Sequence, residues 1–152
     1  MANSSVAGYV GGGYDSAPIS GIDKITFPAD TKSTLSPTLS SARYYLAGMA
    51  NSGTAGYFGG GIDAVDVVDG IDKISFPSDT KSTLVAVLTT ARQKPASMAD
   101  TGVAGYFAGG QDSGFISGID KISFSSDSKS TLSATLTSAL RSAAGFADCG
   151  VF

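Results

Sequence analysis

The chain has no histidine, no tryptophan and no glutamate; all 13 of its acidic residues are aspartate. Without histidine, both the commonest general base and the commonest metal ligand are missing. The single cysteine, Cys149, cannot close a disulfide within the chain. With no imidazole to activate it, Cys149 is expected to be a small buried hydrophobe rather than a nucleophile. Charge is sparse, at 15% of 152 residues, and the net charge of −3 comes without a basic cluster, so nucleic acid is not an expected partner. Residues 1–10 show no positive cluster ahead of an apolar core, so no signal peptide is expected, and no apolar run approaches a membrane span. The expectation is a soluble protein of a reducing cytoplasm, a setting that also fits a virion component, with no cofactor and no membrane partner.

What is abundant is glycine, 20 residues, much of it in one motif that occurs three times. The copies are Gly8-Tyr9-Val10-Gly11-Gly12-Gly13, Gly56-Tyr57-Phe58-Gly59-Gly60-Gly61 and Gly105-Tyr106-Phe107-Ala108-Gly109-Gly110. Their tyrosines lie 48 and 49 residues apart. A period near 50 made of short apolar runs and glycine turns predicts propeller blades or a β-solenoid. After each glycine run comes a loop, then an Ile-Asp-Lys-Ile strand (Ile22–Phe27, Ile71–Phe76, Ile119–Phe124), rich in β-branched and aromatic residues. Residues 28–34, 77–83 and 125–131 read as turns whose aspartate accepts backbone N–H bonds across the bend. Leu84, Ala86 and Leu88 alternate as a further strand face, with Leu35–Leu39 and Leu132–Leu136 as the equivalents. That gives four strands per repeat and a single unit of three repeats, about 7–55, 56–104 and 105–152. The expected fold class is all-β, with four-stranded antiparallel blades.

The order Tyr-x-x-Gly-Gly, apolar strand, Asp-Thr-x-x-Thr, Ala-Arg resembles the kelch repeat over essentially the whole chain. Arg43 and Arg92 match the arginine that precedes the innermost kelch strand; Leu140 stands there in repeat three, with Arg141 one place on. The kelch tryptophan is absent, with Leu35, Leu84 and Leu132 in its place. The resemblance implies a β-propeller. Similar compact arrays occur in phage and aquatic microbial proteins.

Repeat alignment puts both Met1 and Phe146 opposite Met49, and Met1-Ala2-Asn3-Ser4 matches Met49-Ala50-Asn51-Ser52 residue for residue. Repeat one is therefore expected to lack its first strand, and residues 141–148 to supply a spare one. Three blades do not close a propeller ring, and open sheet edges are association sites. The expectation is a head-to-tail homo-oligomer in which Arg141, Ala143, Gly145, Phe146, Ala147 and Asp148 of one chain meet Ala7, Gly8, Tyr9, Val10 and Gly11 of the next. Two chains would make six blades and three would make nine; a rotation that fails to close would make a fibre.

Catalytic chemistry has little to stand on, and the chain is expected not to be an enzyme. Residues 125–132 are similar to the Asp box of sialidases, which is itself a structural turn, and no glutamate is present to activate a tyrosine. Copper chemistry of the kind found on some kelch propellers lacks its imidazoles. The Asp23-Lys24, Asp72-Lys73 and Asp120-Lys121 pairs point to opposite faces of their strands. Each aspartate is expected to bond a neighbouring blade's backbone. Asp15, Asp63 and Asp112 share one position after the glycine run and would form a circle of carboxylates on an assembled rim. With Arg43 and Arg92 they make up the candidate ligand-binding set, for carbohydrate or another protein. The loop aromatics Tyr14, Tyr44, Tyr45 and Phe115 are candidate sugar platforms. The expected role is a self-assembling structural or interaction module, with a multivalent lectin as the alternative.

Overall fold

A computed structural model describes residues 7–148; the Met1–Ser4 match and Cys149 lie outside that range. Every element in it is a strand. The first sheet holds β1 (Ala7–Gly11), β4 (Ile22–Thr26) and β5 (Thr31–Thr34), all antiparallel. Between β1 and β4 the chain makes a two-residue ladder, β2 (Tyr14–Asp15) against β3 (Ala17–Pro18). The second sheet runs in the order β6 (Ala47–Asn51), β7 (Ala55–Gly59), β8 (Ile71–Ser75), β9 (Thr80–Thr83). The third repeats it with β10 (Ala96–Asp100), β11 (Ala104–Ala108), β12 (Ile119–Ser123) and β13 (Lys129–Thr131). The architecture is thus all-β, with three antiparallel sheets of three or four strands.

The glycine motif forms β1, β7 and β11, and Ile-Asp-Lys-Ile forms the strand that pairs with each, as the sequence predicts. The outer strand differs from expectation. It is built by Thr31–Thr34, Thr80–Thr83 and Lys129–Thr131, within segments whose polar composition reads as turn. The leucine runs after them form no strand. Leu84 and Leu88 donate their N–H groups to the Ile71 and Asp69 carbonyls as the chain runs back over the sheet, and Leu88 is buried. An outer strand exposed to water needs no apolar alternation, whereas a return loop covering the sheet does.

The apolar core lies between sheets rather than at one centre. Ile22, Leu39, Phe58 and Ile74 fill the junction of the first and second sheets. Met49, Tyr57, Ile71, Leu88, Phe107, Ile122 and Phe124 fill that of the second and third. Sheets approach closely at glycine: a methyl group on Gly11 would lie 3.0 Å from the Phe58 ring, and one on Gly59 2.5 Å from that of Phe107. Strand β7 has a sheet on each side and is buried along most of its length, while β1, nearly identical in sequence, is only half-buried.

Candidate functional site

The recurrent chemistry of this chain sits where one sheet meets the next. Among the polar contacts that join the sheets, two kinds occur twice among the described residues.

The first is a buried ion pair. Arg43, from the loop that leaves the first sheet, places a guanidinium nitrogen 2.9 Å from Asp72 Oδ2 on β8; the side chains are 1% and 0% exposed. Arg92 repeats this with Asp120 on β12, also at 2.9 Å. Both carboxylates also accept a backbone N–H from the preceding repeat, Ser40 to Asp72 and Thr89 to Asp120. Asp72 and Asp120 thus bond the neighbouring repeat's backbone, as the sequence predicts, whereas Asp23 instead bonds the Thr34 and Lys32 side chains of its own repeat. Burial alone would raise the Asp72 carboxyl, but bonds from Ser40 N–H, the Thr83 hydroxyl, Arg43 and Lys81 outweigh it and hold the group below its usual range. The structure places Arg43 and Arg92 inside these junctions, with almost no accessible surface.

The second is a clamp. Tyr9 and Lys24, cross-strand neighbours on β1 and β4, converge on Asp79 in the β8–β9 turn: Tyr9 Oη donates to Oδ1 at 2.6 Å, and Lys24 Nζ to Oδ2 at 2.7 Å. Tyr57 and Lys73 hold Asp127 in the same way, at 2.9 and 2.6 Å. Beside each clamp a tyrosine ring stacks on the phenylalanine that opens the same turn, Tyr9 on Phe76 at 4.8 Å and Tyr57 on Phe124 at 5.2 Å. Asp79 and Asp127 adopt left-handed backbone, with φ of 55° and 53°. Their carboxylates bond the preceding sheet instead of closing their own bend. Burial pushes the Tyr57 hydroxyl upward, and the bond to Asp127 adds to that shift.

Each outer sheet carries one half of the same clamp. On the third, Tyr106 and Lys121 are cross-strand neighbours, with Lys121 Nζ 6.0 Å from the Tyr106 ring centre, and neither bonds a carboxylate among the described residues. On the first, Asp30 has the equivalent left-handed backbone, φ 52°, and is exposed; Phe27 at the head of its turn is 43% exposed, against 8% for its counterpart Phe124.

Two other features lie close by. A groove of about 780 Å³ runs between β1 and the β6–β7 pair, lined by Tyr9, Phe27, Met49, Gly56, Phe58 and Phe76 among others. The segment Ala144-Gly145-Phe146-Ala147-Asp148 has the pattern of β6 and β10 but belongs to none of the sheets, and Phe146 is 89% exposed. Gly145 lies against β10, where a methyl group on it would be 2.6 Å from the Ser97 carbonyl oxygen. Of the expected interface strand, Ala7–Gly11 is β1, whose only ladder among the described residues is with β4. Arg141 bonds the Gln111 side chain and lies 5.4 Å from the Phe115 ring.

The three loop aspartates have separate surroundings. Asp63 caps its own loop by accepting the Val65 and Asp66 N–H groups, which lowers its carboxyl. Asp15 closes the β2–β3 ladder, and Asp112 is exposed. Among the described residues no three His, Cys, Asp or Glu side chains are grouped to hold a metal ion. Tyr14, Tyr44 and Tyr45 line a second hollow of about 440 Å³. The clamps were not legible as a site, because tyrosine and aspartate stand 70 residues apart in each copy; that equal separation is the signal that would have found them. No protein-family model matches the chain, and no curated protein matches it.

Proposed function

We propose that this chain is a non-enzymatic, self-assembling segment of a kelch-like β-propeller, serving as a structural or interaction module, with a virion or the cytoplasm as its setting. Three four-stranded blades per chain, two chains and head-to-tail contact would give a six-bladed ring. The observation that carries this reading is the inner-strand pattern of Ala144–Ala147, which lies outside the named sheets, together with the groove beside β1. Inside the chain, Met49 of β6 packs against Gly105 of the following sheet. The equivalent glycine of the second sheet, Gly56, lines the groove, where among the described residues nothing nearer than Phe76 at 3.3 Å would meet its methyl group. Phe146 aligns with Met49. Paired along β1 of a second copy, the segment would bring Phe146 to Gly56 and satisfy the open edge.

The missing histidine and glutamate support the non-enzymatic part of the reading. Light scattering tests the assembly: the intact protein should have twice the 15.2 kDa chain mass. Removing residues 141–152 should give monomers or aggregates. A truncated chain that remains a well-folded oligomer, or a filled groove in the monomer supplied by residues 1–3 of the same chain, would overturn strand exchange.

A multivalent lectin has one observation in its favour. Tyr14 and Tyr44 pack edge-on at 5.0 Å, Tyr45 lies 4.7 Å from Tyr44, and Lys94 Nζ sits 4.0 Å from the Tyr45 ring centre. Aromatic faces of this kind stack on sugar rings. The cluster occurs once per chain, with Gln93 and Lys94 replacing Tyr44 and Tyr45 in the next repeat, so multivalency would itself come from assembly. Glycan-array binding lost on Tyr45→Ala would favour this reading, and a blank array would leave the structural module.

A further inference from the structure

We infer that Tyr106 and Lys121 form a receptor for the Phe27–Asp30 turn of a second copy of this chain, and that this clamp selects the partner and sets its orientation. The inference rests on the self-assembly reading and names the side chains that would carry recognition there.

The described residues contain two complete examples of the contact. In each, a tyrosine and a lysine on adjacent strands bind the two oxygens of one aspartate, and the tyrosine ring covers the phenylalanine that heads the aspartate's turn. The polarity is the same both times: tyrosine and lysine on the earlier sheet, phenylalanine and aspartate on the later one. Tyr106 and Lys121 on the third sheet, with Phe27 and Asp30 on the first, are the two halves of that pattern left unmatched among the described residues. Their strand register equals that of the completed clamps: Tyr106 lies opposite Lys121 as Tyr57 lies opposite Lys73. Asp30 holds the same left-handed backbone as Asp79 and Asp127, so the turn already has the backbone conformation that the completed clamps use.

The apolar faces agree. Ile74 and Ile122 are fully buried by a preceding sheet, whereas the equivalent Ile25 on the first sheet is half-buried. Ile22 and Ile71 are fully buried by a following sheet, whereas Ile119 on the third is half-buried. Among the described residues the first sheet thus has no predecessor and the third no successor. An occupant that offers an exposed phenylalanine and an aspartate three residues on, with sheet behind them, is present in this sequence itself. Charge complementarity and the two internal copies of the contact commit the surface to a second copy of the chain.

The test is complementation between two charge reversals, Asp30→Lys and Lys121→Asp, each prepared in the full chain and checked for native circular dichroism. Each variant alone places like charges in the clamp and should weaken self-association at least about tenfold in dissociation constant. Mixed in equal amounts, the two should recover the wild-type oligomer mass, because one interface would be native and the other a swapped ion pair. If the wild type assembles and Asp30→Lys does so with unchanged affinity, the clamp is wrong while assembly stands. If both variants dissociate and the mixture stays dissociated, the pairing of these two residues is wrong. A wild-type chain that is monomeric up to high micromolar concentration would remove the self-assembly reading and the clamp with it.

Discussion

The guanidinium of Arg43 meets the carboxylate of Asp72 at 2.9 Å in a place that water does not reach, and the two belong to consecutive repeats, 29 residues apart. Arg43 also donates to the Phe58 carbonyl at 3.3 Å, so one side chain ties a loop to two strands of the next sheet. Cutting it to alanine would leave Asp72 buried without its main counter-charge. Breaking a buried pair from one side costs about 3–5 kcal/mol. Arg43→Ala should therefore lower the unfolding free energy by about that much, with the loss measured in denaturant at unchanged m-value. Arg92→Ala should behave alike, since its pair with Asp120 has the same length and burial. If either variant lost less than about 1 kcal/mol, the ion pairs would not be what joins the sheets.

Repeat three has Leu140 where the first two have Arg43 and Arg92, and its carbonyl accepts the Gly110 N–H as theirs accept Gly13 and Gly61. In a head-to-tail ring the partner of that position is Asp23 of the next chain, which in the single chain is half-exposed and bonded to Thr34 and Lys32. Leu140→Arg should give Asp23 the counter-charge that Asp72 and Asp120 already have. The expected result is tighter assembly by about tenfold, read as a lower dissociation constant in sedimentation. The double variant Leu140→Arg, Asp23→Asn should return to the wild-type value. An arginine here that leaves assembly unchanged would separate this junction from the internal ones.

Much of this architecture was legible in the sequence, and what was not legible fails for physical reasons. Tyr57-Phe58-Gly59 and Ile71-Asp72-Lys73-Ile74 read as strands because local composition and burial agree on them. The outer strand Thr80–Thr83 did not, because an edge facing water needs neither apolar alternation nor aromatic residues, and its polar residues match those of a turn. Arg43 stood out as a residue in the right place for ligand, yet its role is fixed by Asp72 on another sheet, a pairing that no local pattern encodes. The same holds for Asp79: its residue type marks a turn, and only the packing of sheets brings it to Tyr9 and Lys24.

The Asp79 clamp predicts an acid limb. Burial would raise this carboxyl, but Lys24 and Tyr9 hold it below the ordinary 3.8. The unfolded chain therefore takes up the proton first as pH falls. The clamp's contribution is fully present above about pH 4 and is lost as pH drops through the lowered native value. Asp79→Asn should cost about 1 kcal/mol at pH 7, a modest figure because both side chains keep some contact with water. Between pH 5 and 2.5 the variant's stability should fall less steeply than wild type, measured by denaturant midpoint. Parallel acid limbs for the two proteins would show that Asp79 carries no linked proton.

The close approach of sheets at Gly59 gives a prediction of opposite physical kind, steric rather than electrostatic. The fully buried Phe107 ring sits where a methyl group on residue 59 would be 2.5 Å from its Cζ, nearer than any real carbon contact. Relief requires the ring to move, and it is held in a core with Leu88 and Ile71. Gly59→Ala should therefore destabilise by about 1–3 kcal/mol, the usual cost of overpacking. The test of cause is the second substitution. Phe107→Val alone should also destabilise, by about 2–4 kcal/mol, because it opens a cavity. Combined with Gly59→Ala, the smaller side chain leaves room for the methyl group, so the double variant should lose less than the sum of the two. The sequence already varies this pair: Gly11 faces Phe58 at the other internal junction, while β1 presents Val10 and β11 presents Ala108 at the equivalent positions. Strict additivity in the cycle would mean that the glycine is required by its backbone and not by the ring packed on it.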